Sequence, residues 1–358
     1  MNRLNPSLPS SVSELCQRLR EASHEVSPAA HWPAKQIQWC AAEGVFRWFI
    51  PERLGGWGWD EQQLLAGYLA LSRSCLTTTF ILTQWNAACR RILDCENEEL
   101  QHRLLPPMAS GELFATVGIS HLSTSRQHLA RPVLTAVPEA EGRWRLDGYS
   151  PWVTGGVAAD IIVTGASLDD GRQLLCALPT TRPGVQAHPG QTLVALTASC
   201  TDRVELQQVV IDAGEVLAGP TANVMQGKQG GGSGGLQTST LAIGLALAAV
   251  DFIGQQAEQR RDLQPIFDKL HSDATQLRQV LETLTAGRST TLNASELRQQ
   301  ANLLVLRATQ AALSAAKGAG FVATHPAGRW AREALFFLVW SCPQPVVAAN
   351  LCELAQLN

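Results

Sequence analysis

The residue types that could do chemistry are spread along the chain and do not form spaced motifs. The eight histidines stand singly, and no His-x-x-x-His pair offers the spacing of a helical metal site. Nothing specific supports a Ser/His/Asp triad, although spacing alone never excludes one. Carboxylates near apolar runs, at Glu14, Glu43 and Glu333, are typical of helix surfaces and caps. We predict no metal site, and we expect any polar catalysis to depend on residues that the fold brings together.

The cysteines argue against zinc and against a disulfide framework. There are nine, an odd number, and no Cys-x-x-Cys pair or Cys/His cluster has zinc-ligand spacing. We expect small, buried, apolar thiols in a reducing compartment. Residues 1–20 lack the pattern of a secretory signal, and no stretch reaches the ~18 uninterrupted apolar residues of a membrane span. These features predict a cytoplasmic protein that does not contact a membrane.

A run of glycines with one serine, Gly230 to Gly235, is the most conspicuous local feature. A phosphate-binding loop would need a preceding strand and either Walker or dinucleotide-fingerprint spacing. Lys228 is followed by Gln229 and not by Ser or Thr, so it is not a Walker lysine. We interpret the run as a flexible connector.

Composition excludes several broad classes of protein. Hydrophobic residues make up 45% of the 358 residues and charged residues only 16%, against the ~25% usual in soluble domains. This low charge predicts a large core, an extensive interface, or both. The net charge of −3 and the absence of a Lys/Arg run exclude a nucleic-acid binder that works by bulk electrostatics.

The secondary structure that must position any site is predicted to change type twice along the chain. Helical periodicity runs from Ser11 to about Leu105, with one long helical run over 59–93 and another that Asn97 caps and Pro106-Pro107 end. Short alternating segments then predict antiparallel strands in a barrel or sandwich. An almost wholly apolar helix opens a C-terminal bundle at Leu236. We predict an α+β protein with an N-terminal helical domain (1–112), a central β domain (113–222) and a C-terminal helical bundle domain (223–358).

Several segments in order carry a resemblance to a known family. They are residues 44–58 (GVFRWFIPERLGGWG), 104–112 (LLPPMASGE), 148–156 (GYSPWVTGG) followed by Ala159-Asp160, 209–219 (VVIDAGEVLAG), and 317–321 (KGAGF) with Arg329 and Arg332. Together they resemble the acyl-CoA dehydrogenase superfamily over nearly the full length of the chain. The resemblance implies a four-helix C-terminal bundle, FAD as cofactor, and a homodimer or homotetramer in which FAD lies between subunits.

The resemblance also assigns expected cofactor contacts. Trp152 falls where a family indole lies against the flavin ring, and Thr154 where a hydroxyl bonds near its reactive nitrogen. Ile119 and Ser120 fall on the strand that reaches the pyrimidine edge, and Ser125 falls near the pyrophosphate. The remaining contacts come from the bundle: Arg260, which is expected to reach the pyrophosphate of a neighbouring subunit, and Gly318 and Gly320, where backbone meets the adenosine half.

The catalytic base of the family is missing from its usual places. Family dehydrogenases remove an α-proton with a glutamate, and Ser341 occupies that position here. At the known alternative position, early in the long bundle helix, the sequence has Ser239. Neither serine acts as a base near neutral pH without a partner. His121, whose side-chain type titrates in the right range, and Glu333 are the candidates for a relocated base.

Three functions fit these departures. The first is an FAD-dependent oxidoreductase that dehydrogenates an acyl thioester, or another small apolar substrate, with a relocated base. The second is a flavin-dependent monooxygenase or oxidase, because oxygen chemistry needs no α-proton base. The third is a degenerate FAD-binding or FAD-free scaffold protein. We favour a flavoprotein oxidoreductase with no nucleic-acid partner.

Overall fold

The computed structural model describes residues 8–25, 31–123, 132–226, 236–341 and 344–356. The predicted pyrophosphate contact Ser125 and the glycine-rich connector therefore lie outside the described residues. Within them the chain is α+β, with helices, then a sheet, then helices, as predicted. The domain boundaries stay predictions; the elements nearest to them end at Ser110 and Thr221 and begin at Ala115 and Leu236.

The described part of the N-terminal region contains five α-helices. They are α1 (Ser10–Ala22), α2 (Ala34–Ala42), α3 (Glu61–Ser74), α4 (Leu76–Leu93) and α5 (Glu98–Ser110). Asn97 caps α5 as predicted, because its side chain accepts a hydrogen bond from the amide of Leu100. The helix does not end at Pro106-Pro107; it continues through them to Ser110, and Gly111 ends it in a left-handed conformation.

The helical run predicted over 59–93 is two helices and not one. The backbone of Cys75 is extended, with φ −153° and ψ 105°, and this residue separates α3 from α4. Three consecutive β-branched threonines, Thr77 to Thr79, follow the break and have weak helix propensity. The break allows α4 to pack back against α3, so that two side chains far apart in sequence, Tyr68 and Asn86, reach the same space.

The central region is one eight-stranded sheet. Its strands are β1 (Ala115–Gly118), β2 (Leu134–Ala140), β3 (Arg143–Val153), β4 (Ile161–Ser167), β5 (Gln173–Pro179), β6 (Val185–Ala187), β7 (Asp202–Asp212) and β8 (Val216–Thr221), with a short helix α6 (Ser120–Ser123) after β1. The order is β6-β7-β3-β2-β4-β5-β8, and β1 pairs with β4. Most pairs are antiparallel as predicted, but β1 and β2 both run parallel to β4.

The C-terminal region returns to helices. They are α7 (Leu236–Ala257), α8 (Gln264–Thr285), α9 (Ala294–Ala316), α10 (Pro326–Ala334) and α11 (Gln344–Leu354). By length and composition alone α7 could cross a membrane, but most of it is buried here, as in the core helix of a bundle. It packs against α3, α8 and α9, so its first turn lies beside the N-terminal helices.

Cysteine burial follows the expectation from composition. Of the cysteines that the structure describes, Cys352 is exposed and the others are buried, and all are free thiols. Burial raises the pKa of several of these thiols, including Cys16, Cys75 and Cys89, so they stay protonated near neutral pH. They fill the core and do not form a reactive centre.

Candidate functional site

One large cavity lies where the three regions meet. Its volume is about 1050 Å³, slightly above the ~300–1,000 Å³ typical of small-molecule sites. Its walls come from α3, α4, the ends of β1 and β3, the loop around Leu196, the first turn of α7, and the chain from Arg332 to Ser341. The apolar part of the lining includes Leu64, Leu65, Phe80, Val117, Leu335, Phe336 and Trp340.

The wall formed by strand ends, which we call the strand wall, consists of Ile119, Ser120, Trp152, Thr154 and Thr201. Trp152 sits at an irregularity in the β3–β7 register, between Ser150 and Val153. Its φ is +56°, a left-handed conformation that is strained for a bulky residue. A bulge re-aims a side chain, and here the indole is 54% exposed beside the cavity. The local strain therefore presents a broad aromatic face to whatever the cavity holds.

Buried hydroxyls behind the indole bond to one another. The Thr154 and Thr201 hydroxyls lie 2.9 Å apart, and the Ser199 hydroxyl lies 2.8 Å from that of Thr201. Thr116 donates to the carbonyl of Thr154 at 2.8 Å, and Ser120 donates to the carbonyl of Pro151 at 3.1 Å. These bonds hold the strand wall in a single arrangement.

A second wall, which we call the helical wall, carries Tyr68 of α3, Asn86 of α4 and Gln237 of α7. Tyr68 and Asn86 are 4% and 3% exposed. The Tyr68 hydroxyl and the Asn86 side-chain oxygen have no partner of normal hydrogen-bond geometry among the described residues, although the side chains of Asn86 and Gln237 lie beside that hydroxyl. Burial raises the pKa of Tyr68, so its hydroxyl stays neutral.

The chain from Leu335 to Ser341 closes the cavity from a third side. Two buried side chains of α9 hold it: Arg298 donates to the carbonyl of Trp340 at 2.9 Å, and Asn302 donates to the carbonyl of Phe337 at 3.0 Å. Ser341, the residue at the expected base position, lines the cavity with a φ of +48°. With Trp152 and Leu196 it is one of three left-handed non-glycine residues that line the cavity, and such strain concentrates at functional sites.

Charged side chains meet at one end of the cavity. Glu61 accepts a hydrogen bond from Arg90 at 3.2 Å. Burial lowers the pKa of Arg91, and neighbouring Asp94 opposes that effect. Among the described residues that line the cavity, Glu61 and Asp94 are the carboxylates. Both lie beside arginines, so neither is available as a conventional base in the way that an unpaired carboxylate would be.

The structure does not bring the two candidates for a relocated base to the cavity lining. His121 on α6 is buried, and its Nε2 lies 2.8 Å from the carbonyl of Gly165 in β4. Burial lowers its pKa although that bond raises it, so the imidazole is neutral. Glu333 of α10 is also buried, 3.6 Å from Arg329. Burial raises the pKa of Glu333 to about 7, while Arg329 and Arg332 lower it.

Ser239, at the alternative base position, is buried and does not line the cavity, whereas its neighbours Gln237, Thr238 and Thr240 do. The helical turn explains the difference, because successive side chains point about 100° apart. The hydroxyl of Thr240 donates to the carbonyl of Leu236 at 2.8 Å, which leaves Gln237 as the polar group of this turn nearest Tyr68.

The other predicted cofactor residues form a second group at the far end of the bundle. Arg260 follows α7 and donates to the carbonyl of Ala315 at 2.7 Å. That carbonyl precedes the tight turn Lys317–Phe321, which contains Gly318 and Gly320. Space beside Gly318 is open, whereas a Cβ on Gly320 would meet the Leu313 side chain at 2.7 Å. None of these three residues lines the cavity.

The residues present fit a flavin. An exposed indole and neutral hydroxyls match a flat ring system with polar edges, and the cavity leaves room for a second molecule beside it. The sequence analysis did not single out Tyr68, Asn86 or Gln237. Tyr68 and Gln237 lie within predicted helices, and a polar residue in a helix is usually expected to face solvent. Only the break at Cys75, which could have been suspected from the threonine run, brings the first two together.

Comparisons with known proteins bear on the whole chain. Residues 8–112 match the model of the family described as acyl-CoA dehydrogenase, N-terminal domain. The human mitochondrial short-chain specific acyl-CoA dehydrogenase is 25% identical over 357 residues, covering 91% of this chain and 85% of that protein. Butyryl-CoA dehydrogenase from Megasphaera elsdenii has a similar structure, with TM-score 0.81, 17% identity, and coverage of 98% of this chain and 100% of that one. TdsC from Paenibacillus sp. A11-2, solved with FMN and indole, gives TM-score 0.79 and 15% identity, covering 98% and 97%.

Proposed function

Because residues 8–112 match the acyl-CoA dehydrogenase N-terminal domain and the whole chain is similar to acyl-CoA dehydrogenases, we propose that it is a member of that superfamily and a flavin-dependent oxidoreductase acting on an acyl thioester. The single observation that carries the proposal is the strand wall, where Ile119, Ser120, Trp152 and Thr154 meet at the cavity. A bound flavin supplies a two-electron acceptor for a substrate C–H bond, or activates oxygen when reduced. The chain has to bind that ring, orient the substrate against it and exclude water.

The strand wall is suited to holding the ring. The Trp152 indole gives an apolar face that shields it from water, and the Thr154 hydroxyl is already oriented by Thr201. A hydroxyl held in this way donates or accepts without adding charge. We propose FAD as the cofactor, because the strand wall and the Arg260 turn form two separate groups, as an extended dinucleotide requires when two copies of the chain share it.

A homodimer or homotetramer completes this proposal. Beside the Gly318–Gly320 turn, Phe321 is 87% exposed and Val322 is also exposed. Two apolar side chains on an otherwise ordinary surface are consistent with contact to a second copy. Light scattering at micromolar concentration should give at least a dimer, and a monomer would contradict the role proposed for Arg260.

Flavin binding is tested on the purified protein. We expect a visible flavin spectrum, retained or restored on adding FAD, with weaker uptake of FMN. Trp152→Ala should weaken flavin affinity by about tenfold, because ring contact is worth ~1 kcal/mol or more. Trp144→Leu, on the same strand but off the cavity, is the matched control. Absence of flavin binding would leave the scaffold alternative.

Substrate class is tested under anaerobic conditions with acyl-CoAs of several lengths. Bleaching of the flavin band is expected if the chain dehydrogenates thioesters. The arginine neighbours of both cavity-lining carboxylates, Glu61 and Asp94, favour a second candidate, a flavin monooxygenase or oxidase, which needs no α-proton base. No bleaching, with oxygen uptake on supplying a flavin reductase and reduced nicotinamide, would favour that candidate over the first.

A further inference from the structure

The helical wall contains polar atoms whose hydrogen bonds are incomplete. The Tyr68 hydroxyl and the Asn86 side-chain oxygen are buried and have no bond of normal geometry among the described residues, although the side chains of Asn86 and Gln237 lie close enough to that hydroxyl for weak hydrogen bonds. Leaving a buried polar atom unpaired costs about 1–3 kcal/mol. A fold keeps such atoms where something else completes them, and both side chains line the cavity.

A neighbouring hydroxyl shows that this wall can satisfy its own groups. Thr83 of α4 also lines the cavity and is buried, but its hydroxyl donates to the carbonyl of Phe80 at 2.6 Å. Tyr68 and Asn86 lie on the same pair of helices and are held as firmly. Among these three polar side chains that line the cavity, Tyr68 and Asn86 therefore have incomplete hydrogen bonding and Thr83 does not.

The chemistry of the cluster narrows its partner to a neutral group. Tyr68 offers a hydroxyl that donates or accepts, and Asn86 and Gln237 offer amides that do both; the unpaired atom of Asn86 is its accepting oxygen. A carboxylate accepts only, so it would leave the Asn86 oxygen unpaired. The nearest cation, Arg90, is bonded to Glu61. A hydroxyl fits, because it donates to Asn86 while it accepts from Tyr68 or Gln237.

We propose that the helical wall recognises a hydroxyl group on the acyl portion of the substrate, so that hydroxylated acyl thioesters are preferred over their plain counterparts. This inference rests on the proposed function, since it places an acyl chain in the cavity. Leu64, Leu65 and Phe80 surround the chain with apolar contacts, and the cluster of Tyr68, Asn86 and Gln237 meets its polar end.

Calorimetric binding measurements test the inference without turnover. The ligands are butanoyl-, hexanoyl- and octanoyl-CoA, each paired with its ω-hydroxy and ω-carboxy counterpart. At the length that reaches the cluster, we expect the hydroxy form to bind about tenfold more tightly than the plain form. Tyr68→Phe should abolish most of that ratio, whereas Thr83→Val should leave it unchanged because the Thr83 hydroxyl is already bonded.

The outcomes separate the inference from the proposed function. If no acyl-CoA binds, the proposed function fails and the inference falls with it. If plain and hydroxylated forms bind equally at every length, or if the carboxylated form binds best, the thioester proposal stands and the inference alone is overturned. Equal loss of the ratio in Tyr68→Phe and Thr83→Val would also overturn it, because a general change in the wall would then explain the effect.

Discussion

The two walls of the cavity treat their buried polar atoms in opposite ways. On the strand wall, the hydroxyls of Thr154, Thr201 and Ser199 bond to one another. On the helical wall, the Tyr68 hydroxyl and the Asn86 oxygen lack such bonds. A completed network fixes a surface before a ligand arrives, whereas an incomplete one gains bonds only on binding. The difference supports our proposals that the strand wall holds the cofactor in one pose and that the helical wall selects the substrate.

Ionisable side chains are also unevenly distributed around the cavity. The strand wall has no ionisable side chain among its five residues. Outside both walls, α10 carries a buried carboxylate, Glu333, next to the cavity-lining Arg332. Glu333 is buried near Arg329 and Cys75. We therefore expect pH to affect this region through the stability of the fold, by titration of Glu333.

The largest expected effect is the pH dependence of that carboxylate. Burial raises the pKa of Glu333 from 4.5 to about 7. The folded protein thus holds more protons than the unfolded chain between these values, so stability falls as pH rises through that window and levels off above it. Between pH 5 and pH 8 the loss should be about 2–3 kcal/mol, which denaturant unfolding at both pH values measures.

Glu333→Gln removes the titrating group while keeping its shape. The unfolding free energy of the variant should change far less between the two pH values. Glu282, which pairs with Arg278 on the partly exposed surface of α8, provides the control variant Glu282→Gln. A pH slope that survives in Glu333→Gln would mean that another group controls stability in this range.

The next effect tests the rigidity of the strand wall. A methyl group on Gly118 would collide with the Ser150 hydroxyl and lie 2.9 Å from Val153. The Gly118 carbonyl also accepts from Ser150 and Thr164. Overpacking of this kind costs typically 1–3 kcal/mol, so Gly118→Ala should lower the unfolding free energy by about 2 kcal/mol. Gly214→Ala, where the added methyl meets nothing, should change it little; equal losses would show that the wall is not tightly packed.

Thr201→Val breaks the hydroxyl chain at its centre. Thr154 and Ser199 both lose the partner that they share, and we expect a loss of about 1–2 kcal/mol in chemical denaturation. Thr192→Val, at an exposed position nearby, is the control. An unchanged unfolding free energy in Thr201→Val would mean that the strand wall does not depend on its internal hydrogen bonds. The two walls would then differ less than we propose.

The sequence predicts a wall well when the residues that form it are close together along the chain. The segment from Gly148 to Gly156 is continuous, so Trp152 and Thr154 could be expected together on one strand. Even there, the left-handed φ of Trp152 depends on register with β7 and is not visible in the sequence. The helical wall joins α3, α4 and α7, and its cluster exists only because Cys75 is extended. His121 looked suitable by type, but contact with β4 turns it away.

The smallest expected effect has the opposite sign to the others and discriminates most sharply between the walls. Tyr68→Phe removes a buried hydroxyl that has no bond of normal geometry, so the ligand-free protein should become more stable by about 0.5–1 kcal/mol. Thr83→Val removes a bonded hydroxyl from the same wall and should destabilise by about 1 kcal/mol. Thermal unfolding of both variants without ligand measures the pair of shifts. If Tyr68→Phe is destabilised as much as Thr83→Val, the Tyr68 hydroxyl already has its partner and the two walls do not differ.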